Sequence, residues 1–127
     1  DLYLSQRDVE TLAGSNSEIS SEEQFDRIVG YMKRNIDKSL SLADIAGTFA
    51  FSITKVQKLF YKHSGCAPMQ YFMDLKLSAA KKMMCTTSLN HTQIAAMLGF
   101  SSVSYFSKLF KKRTGLTPSE YVKSLQE

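Results

Sequence analysis

Two sets of side chains, about 50 positions apart, share one chemistry. At 100° per residue, Thr54, Gln57, Lys58 and Tyr61 fall on one side of a helix, with Val56, Leu59 and Phe60 on the other. Ser104, Ser107, Lys108 and Lys111 repeat the arrangement, opposite Phe106, Leu109 and Phe110. A solvated helix face usually alternates Glu with Lys, but neither outer face here carries an acid. Both offer hydroxyl, amide and ammonium groups, the groups that pair with base edges in the major groove of DNA. Lys donates to guanine N7 and O6, Gln pairs with adenine N6 and N7, and Ser or Thr bonds to several edges. Ile53 and Val103, at the flank of each helix start, could touch a thymine methyl. One such face could be simple solvation, whereas two alike in chemistry and placement point to a contact surface.

Phosphate positioning would complete such a surface. Lys62, Lys111, Lys112 and Arg113, at the far ends of the two helices, are the expected clamps. Capped helix starts near Ser41 and Thr92 would offer backbone N–H groups to a phosphate. Lys33, Arg34, Lys81 and Lys82 read as solubility charges. His63 and His91 lie in different segments with no ligand cluster around them, so no metal is expected. Cys66 and Cys85 lack CxxC spacing and read as free thiols of a reducing cytoplasm. The methionines Met69, Met73, Met83 and Met84 suggest helix packing. With neither a nucleophile–base set nor a Gly-rich phosphate loop, no enzyme and no cofactor are expected.

The elements that would position these faces form a repeat. Ile45-Ala46 matches Ile94-Ala95 and Phe51-Ser52 matches Phe100-Ser101 at an offset of 49. From Phe60/Phe110 through Gly65/Gly115, Pro68/Pro118 and Tyr71/Tyr121 the offset is 50, so one residue is inserted near the start of the longer helix. Ser41 with Asp44, and Asn90 with Gln93, open the two short helices as capping boxes. Each unit is then a short helix, a tight turn, a longer helix, a Gly stop and a Pro that starts the next helix. This is a duplicated helix-turn-helix, about 41–64 and 90–114, joined by a connector helix over about 68–86. A 19-residue connector is roughly 28 Å long, close to the roughly 34 Å between successive major-groove faces on one side of DNA.

The bulk numbers agree. The chain of 127 residues suits one small domain, and scarce Gly and Pro with apolar residues every three or four positions make it all-α. No apolar run reaches membrane-spanning length. Residues 1–24 carry six acidic side chains and one Arg, whereas residues 25–127 carry 15 basic and 6 acidic ones. A basic body behind an acidic leader suggests a polyanionic partner. The leader, residues 1–21, is expected to form a short helix up to Ala13 and then a linker from Gly14 to Ser17. Since the chain opens on Asp1 without Met or signal peptide, it is expected to be part of a longer protein, with the leader trailing an upstream domain. Ser20 or Ser21, with Glu23 or Gln24 three residues on, should cap a helix that carries Phe25, Ile28, Val29 and Met32 on one face.

The stretch IAAMLGFSSVSYFSKLFKKRTGLTPSEY resembles the second helix-turn-helix of the AraC/XylS family of bacterial transcription regulators. Ile94, Ala95, Gly99, Phe100, Ser104, Tyr105, Phe106, Lys108, Phe110, Lys111, Gly115, Thr117, Pro118 and Tyr121 all match that family's signature. LADIAGTFAFSITKVQKLFYKHSG is similar to the family's first reader, KLSAAKKMM to its connector, and the likeness covers roughly residues 25–122. The resemblance implies a seven-helix domain, over residues 22–127, of two helix-turn-helix units joined by a long connector helix. It implies binding to double-stranded promoter DNA in a bacterial cytoplasm and, in most members, activation through RNA polymerase, with a sensory or dimerisation domain upstream. Base contacts would then come from Thr54, Gln57 and Lys58, and from Val103, Ser104, Ser107 and Lys108. The alternative is a helical protein-interaction module that docks RNA polymerase or a sensor domain, which would require exposed apolar residues on the outer faces. The chain departs from the family's pattern at several positions, two of them Lys76 and Ala50. Lys76 stands where Arg is usual, which removes a bidentate contact, and Ala50 fills the turn position of Gly99. If that turn needs a positive φ, Ala there costs about 1–2 kcal/mol.

Overall fold

All but one of the helices begin where a side chain accepts from a free backbone N–H group. In the computed structural model, which describes residues 19–126, seven helices and no strands follow one another. They are α1 (Ser21–Arg34), α2 (Leu42–Phe49), α3 (Ile53–Ser64), α4 (Pro68–Thr86), α5 (His91–Met97), α6 (Val103–Thr114) and α7 (Pro118–Leu125). The leader helix and linker expected before Ser17 lie outside the described residues. Ser41/Asp44, Asn90/Gln93 and Thr117/Glu120 close reciprocal capping boxes on α2, α5 and α7. Hydrogen bonds from Ser41 and Thr117 hold the Asp44 and Glu120 carboxyls below their ordinary pKa range. On α1 only half of the box forms. Ser20 Oγ accepts from the Glu23 N–H, but the Glu23 carboxylate turns along the helix to Arg27 at 2.9 Å. The connector α4 has Pro68 in its first turn and no side-chain cap, as suits a residue that brings no N–H.

Two apolar cores result. Ile28, Val29 and Met32 of α1, Ile45 and Ala46 of α2, and Val56, Leu59 and Phe60 of α3 close around Phe72 of α4. Ile94 and Ala95 of α5, with Phe106 and Phe110 of α6, close around Leu77, Ala80 and Met84 of α4. The connector therefore serves both units, its first half in one core and its second half in the other. Its buried residues Phe72, Lys76, Ala80 and Met84 run at intervals of four along a single ridge. Lys76, only 1% exposed, sits in that ridge where one core gives way to the next.

The turns differ between the units. Ala50 ends α2 in the left-handed region at φ 56°, so the turn does need a positive φ and the first unit meets it with strain. Gly99 adopts φ 74° at the corresponding place. No described helix is long and apolar enough to cross a membrane.

Burial pulls the Lys76 ammonium down to about 8 from an ordinary 10.5, with the nearby Asp37 carboxylate opposing the shift. Between those values the unfolded chain binds more protons than the fold, so stability rises with pH. This contribution is complete above 10.5 and is lost as pH falls through about 8. In urea unfolding the stability of wild type relative to Lys76→Met should therefore rise between pH 8 and 10, by roughly 2–3 kcal/mol. A difference that stays constant over this range would refute the assignment.

Candidate nucleic-acid interface

The inward faces of α3 and α6 are anchored by Val56, Leu59 and Phe60, and by Phe106 and Phe110, all buried. Leu109 is half-buried against the second core. Truncating any of the fully buried phenylalanines would cost about 3–5 kcal/mol, so the rotation of each helix about its own axis is strongly held. That rotation leaves Thr54, Gln57, Lys58 and Tyr61 exposed on α3, together with Ile53, which is 45% exposed. On α6, Ser104, Lys108 and Lys111 are exposed and Ser107 is half-buried. Val103 is half-buried too, because it packs on the second core. It offers part of its surface, in contrast to the open Ile53.

Neither helix contains an acidic residue, and each ends in a basic turn, Lys62-His63 on α3 and Lys111-Lys112-Arg113 on α6. Cations there also complement the negative end of the helix dipole. The positions expected to meet phosphate separate into different situations. Lys111 and Lys112 are exposed and, among the described residues, carry no side-chain ion pair. Lys62 is exposed, its Nζ donating at 3.2 Å to Ser21 Oγ, which also lies 3.1 Å from His63 Nε2. Thr92 is exposed in the first turn of α5, where the capping box occupies the N–H groups of Asn90 and Gln93.

Arg113, expected among the phosphate clamps, is also engaged within the fold. Its Nε and one terminal nitrogen donate to the two Asp74 oxygens of α4 at 2.9 and 2.7 Å. The Gln70 amide oxygen, turned toward the guanidinium, accepts at 3.2 and 3.1 Å. The forked donors of Arg suit this carboxylate, and the side chain ties the end of α6 to the connector.

One groove was not foreseen. Lys55, Lys58 and Lys62 line it along α3, with Ser21 and Gln24 at the start of α1 across from them. Lys55 lies over the Phe51 ring at 4.2 Å, which holds the ammonium beside the helix start. The spacings of three and four residues put these lysines on one flank of the helix, beside the outermost stripe. Lys76 was also missed as a structural group, although a lysine within the apolar ridge Phe72, Ala80, Met84 was a visible anomaly.

A family profile described as a helix-turn-helix domain matches residues 42–124. The chain is 31% identical over 111 residues to the raffinose operon transcriptional regulatory protein RafR of Pediococcus pentosaceus, an alignment covering 87% of this chain and 40% of that protein. A transcriptional regulator from Chromobacterium violaceum, described as an AraC-type DNA-binding domain-containing protein, superposes with a TM-score of 0.75 at 31% identity. That match covers 81% of this chain and 92% of the other. The DNA-binding domain of AdpA, solved in complex with a target DNA, shares the fold with a TM-score of 0.75 at 18% identity, over 79% of this chain and 90% of that one. The chain belongs to the AraC/XylS family of helix-turn-helix transcription regulators.

The Arg113–Asp74 contact is partly exposed, at 34% and 41% of the two side chains. A double-mutant cycle of Arg113→Ala and Asp74→Ala, read by urea unfolding, should give a coupling of about 0.2–1 kcal/mol. A coupling of zero would mean that the fork does not hold in solution.

Proposed function

We propose that this chain binds double-stranded promoter DNA in a sequence-specific way, with α3 and α6 as two reading helices in the major groove. The observation that carries this reading is the pair of acid-free outer faces, Thr54-Gln57-Lys58 and Ser104-Ser107-Lys108, each held outward by a buried apolar stripe. Thr, Gln, Ser and Lys at those positions supply donors and acceptors for base edges, and Ile53 and Val103 supply apolar contact at the flank. Lys62, Lys111, Lys112 and the Thr92 helix start take the phosphates, and Lys55 joins them from the groove beside α3. Arg113 serves in the scaffold.

The biological reading follows from the family. The chain acts in the bacterial cytoplasm as the DNA-binding part of a transcription regulator, as an activator that contacts RNA polymerase. An upstream sensory or dimerisation domain supplies the signal. It is a binding module and not an enzyme, and needs no cofactor. A docking module for polymerase or a sensor would instead need apolar outer faces, whereas Thr54, Gln57 and Lys58 on α3 and Ser104 and Lys108 on α6 hold exposed outer positions.

Titration against duplexes selected from a random pool, at several salt concentrations and with competitor, tests the reading. Equal affinity for selected and random duplexes would exclude specificity, and a flat salt dependence would exclude DNA binding altogether. Lys108→Ala should weaken the selected site by about 1–3 kcal/mol and relax preference at one base pair. Loss that is uniform across sequences would make Lys108 a phosphate contact. Lys112→Ala should reduce the salt slope by about one, while Arg113→Ala should leave it nearly unchanged. The reverse pattern would restore Arg113 to the phosphate set.

A further inference from the structure

We infer that Lys76 is a positioning residue, whose ammonium sets the angle and spacing between the two reading helices by clamping backbone from both units. It lies on the connector and touches neither reading face. Among the described residues it is the one charged side chain that is buried. An ammonium has three hydrogens, and here each meets a carbonyl. Two acceptors, Ile36 O at 2.9 Å and Lys38 O at 2.7 Å, belong to the segment between α1 and α2. The third is Leu98 O, at the end of α5 where the chain turns toward α6. The Phe72 and Phe100 rings, one from each half, lie 4.8 and 5.5 Å from the charge.

A second observation comes from the same seam. A Cβ added to Gly99 would lie 2.7 Å from Asp37 O and 3.0 Å from both Asp37 C and Lys38 C. The α5–α6 turn therefore rests directly on the backbone whose carbonyls Lys76 holds. Ile36, in that backbone, packs against both apolar cores. Ala50, the counterpart of Gly99 in the first unit, is exposed and can carry a side chain. The two copies of the turn thus differ because only the second bears the inter-unit contact.

Energetics favour a positioning role. Apolar contacts, including those the connector makes in both cores, are weakly directional. Three hydrogen bonds from one ammonium are directional. Replacing buried charged groups by apolar residues of similar size is often neutral or stabilising, which points to a role for Lys76 in selecting one arrangement. Leu98 and Gly99 precede α6 by only a few residues, so a shift at the clamp moves that reading helix.

The inference rests on the two-reader function proposed above, and its test has an arm that does not use DNA. Spin labels at Ala43→Cys and Ser119→Cys, in a background of Cys66→Ser and Cys85→Ser, report the distance between units by pulsed dipolar spectroscopy. The parent should give one narrow distribution, Lys76→Met a broad or displaced one, and Lys76→Arg a distribution close to the parent's. In the DNA arm, base pairs are inserted between the two subsites of a selected duplex. The parent should lose on the order of 100-fold when both subsites can no longer be engaged together, and Lys76→Met less than about tenfold. Affinity of Lys76→Met for a duplex with one subsite should stay within about twofold of the parent, since neither reading face is altered.

An unchanged narrow distance in folded Lys76→Met would overturn the inference, as would full retention of the spacing preference. If Lys76→Met does not fold, Gly99→Ala disturbs the same contact from the other side. It should broaden the distance, and a narrow parental distribution there would also overturn the inference. If the parent binds no duplex specifically, the proposed function fails while the distance arm still decides the clamp.

Discussion

A lysine ammonium buried between two apolar cores, bonded to three backbone carbonyls, is the constraint around which this fold is organised. Each core alone could close with hydrophobic contacts, and each unit has its own caps and turns. What a duplicated domain needs in addition is a defined relation between its halves. Lys76 meets that need with hydrogen bonds to segments 22 to 40 residues away along the chain. The arrangement accepts a cost in desolvation, visible in a pKa drawn down toward 8, and gains direction.

The repeat is less symmetrical in space than in sequence. Residues near the end of each reading helix anchor it sideways, but to different partners. His63 and Lys62 reach Ser21 on α1, and Arg113 reaches Asp74 on α4. The turns diverge as well, since Ala50 is exposed and Gly99 is pressed against Asp37. Duplication supplied two equivalent readers, and the contacts that join them made the copies unequal. The outer faces can vary in base preference without disturbing the scaffold, because the side chains that pack and those that face outward occupy opposite sides of α3 and α6.

Much of the architecture was legible in the residues. Ser41 with Asp44 and Asn90 with Gln93 marked helix starts, Gly65 and Gly115 marked stops, and Pro68 and Pro118 marked the next helices. The apolar periods of α3 and α6 assigned Val56, Leu59, Phe60, Phe106 and Phe110 inward, leaving the hydroxyl, amide and ammonium groups outside. Ala50 was expected to carry a cost if its turn needs a positive φ, and the turn adopts one. Other features were not legible. Glu23 had the spacing of a capping residue but found Arg27. Val103 stood at the right place in the helix, yet the second core covers part of it.

The sequence by itself determined the helices, their capped ends, the duplication and the chemistry of the two outer faces. All but the duplication, which shows in matches 49 to 50 positions apart, depend on residues within about four positions of one another, where helical geometry leaves little choice. The tertiary structure alone decided that Arg113 belongs to Asp74 and that Lys76 holds two units together. Local sequence does not distinguish a charged side chain that will meet water from one that will meet phosphate or a distant carbonyl. Which of these it meets depends on how segments far apart in the chain come to lie side by side.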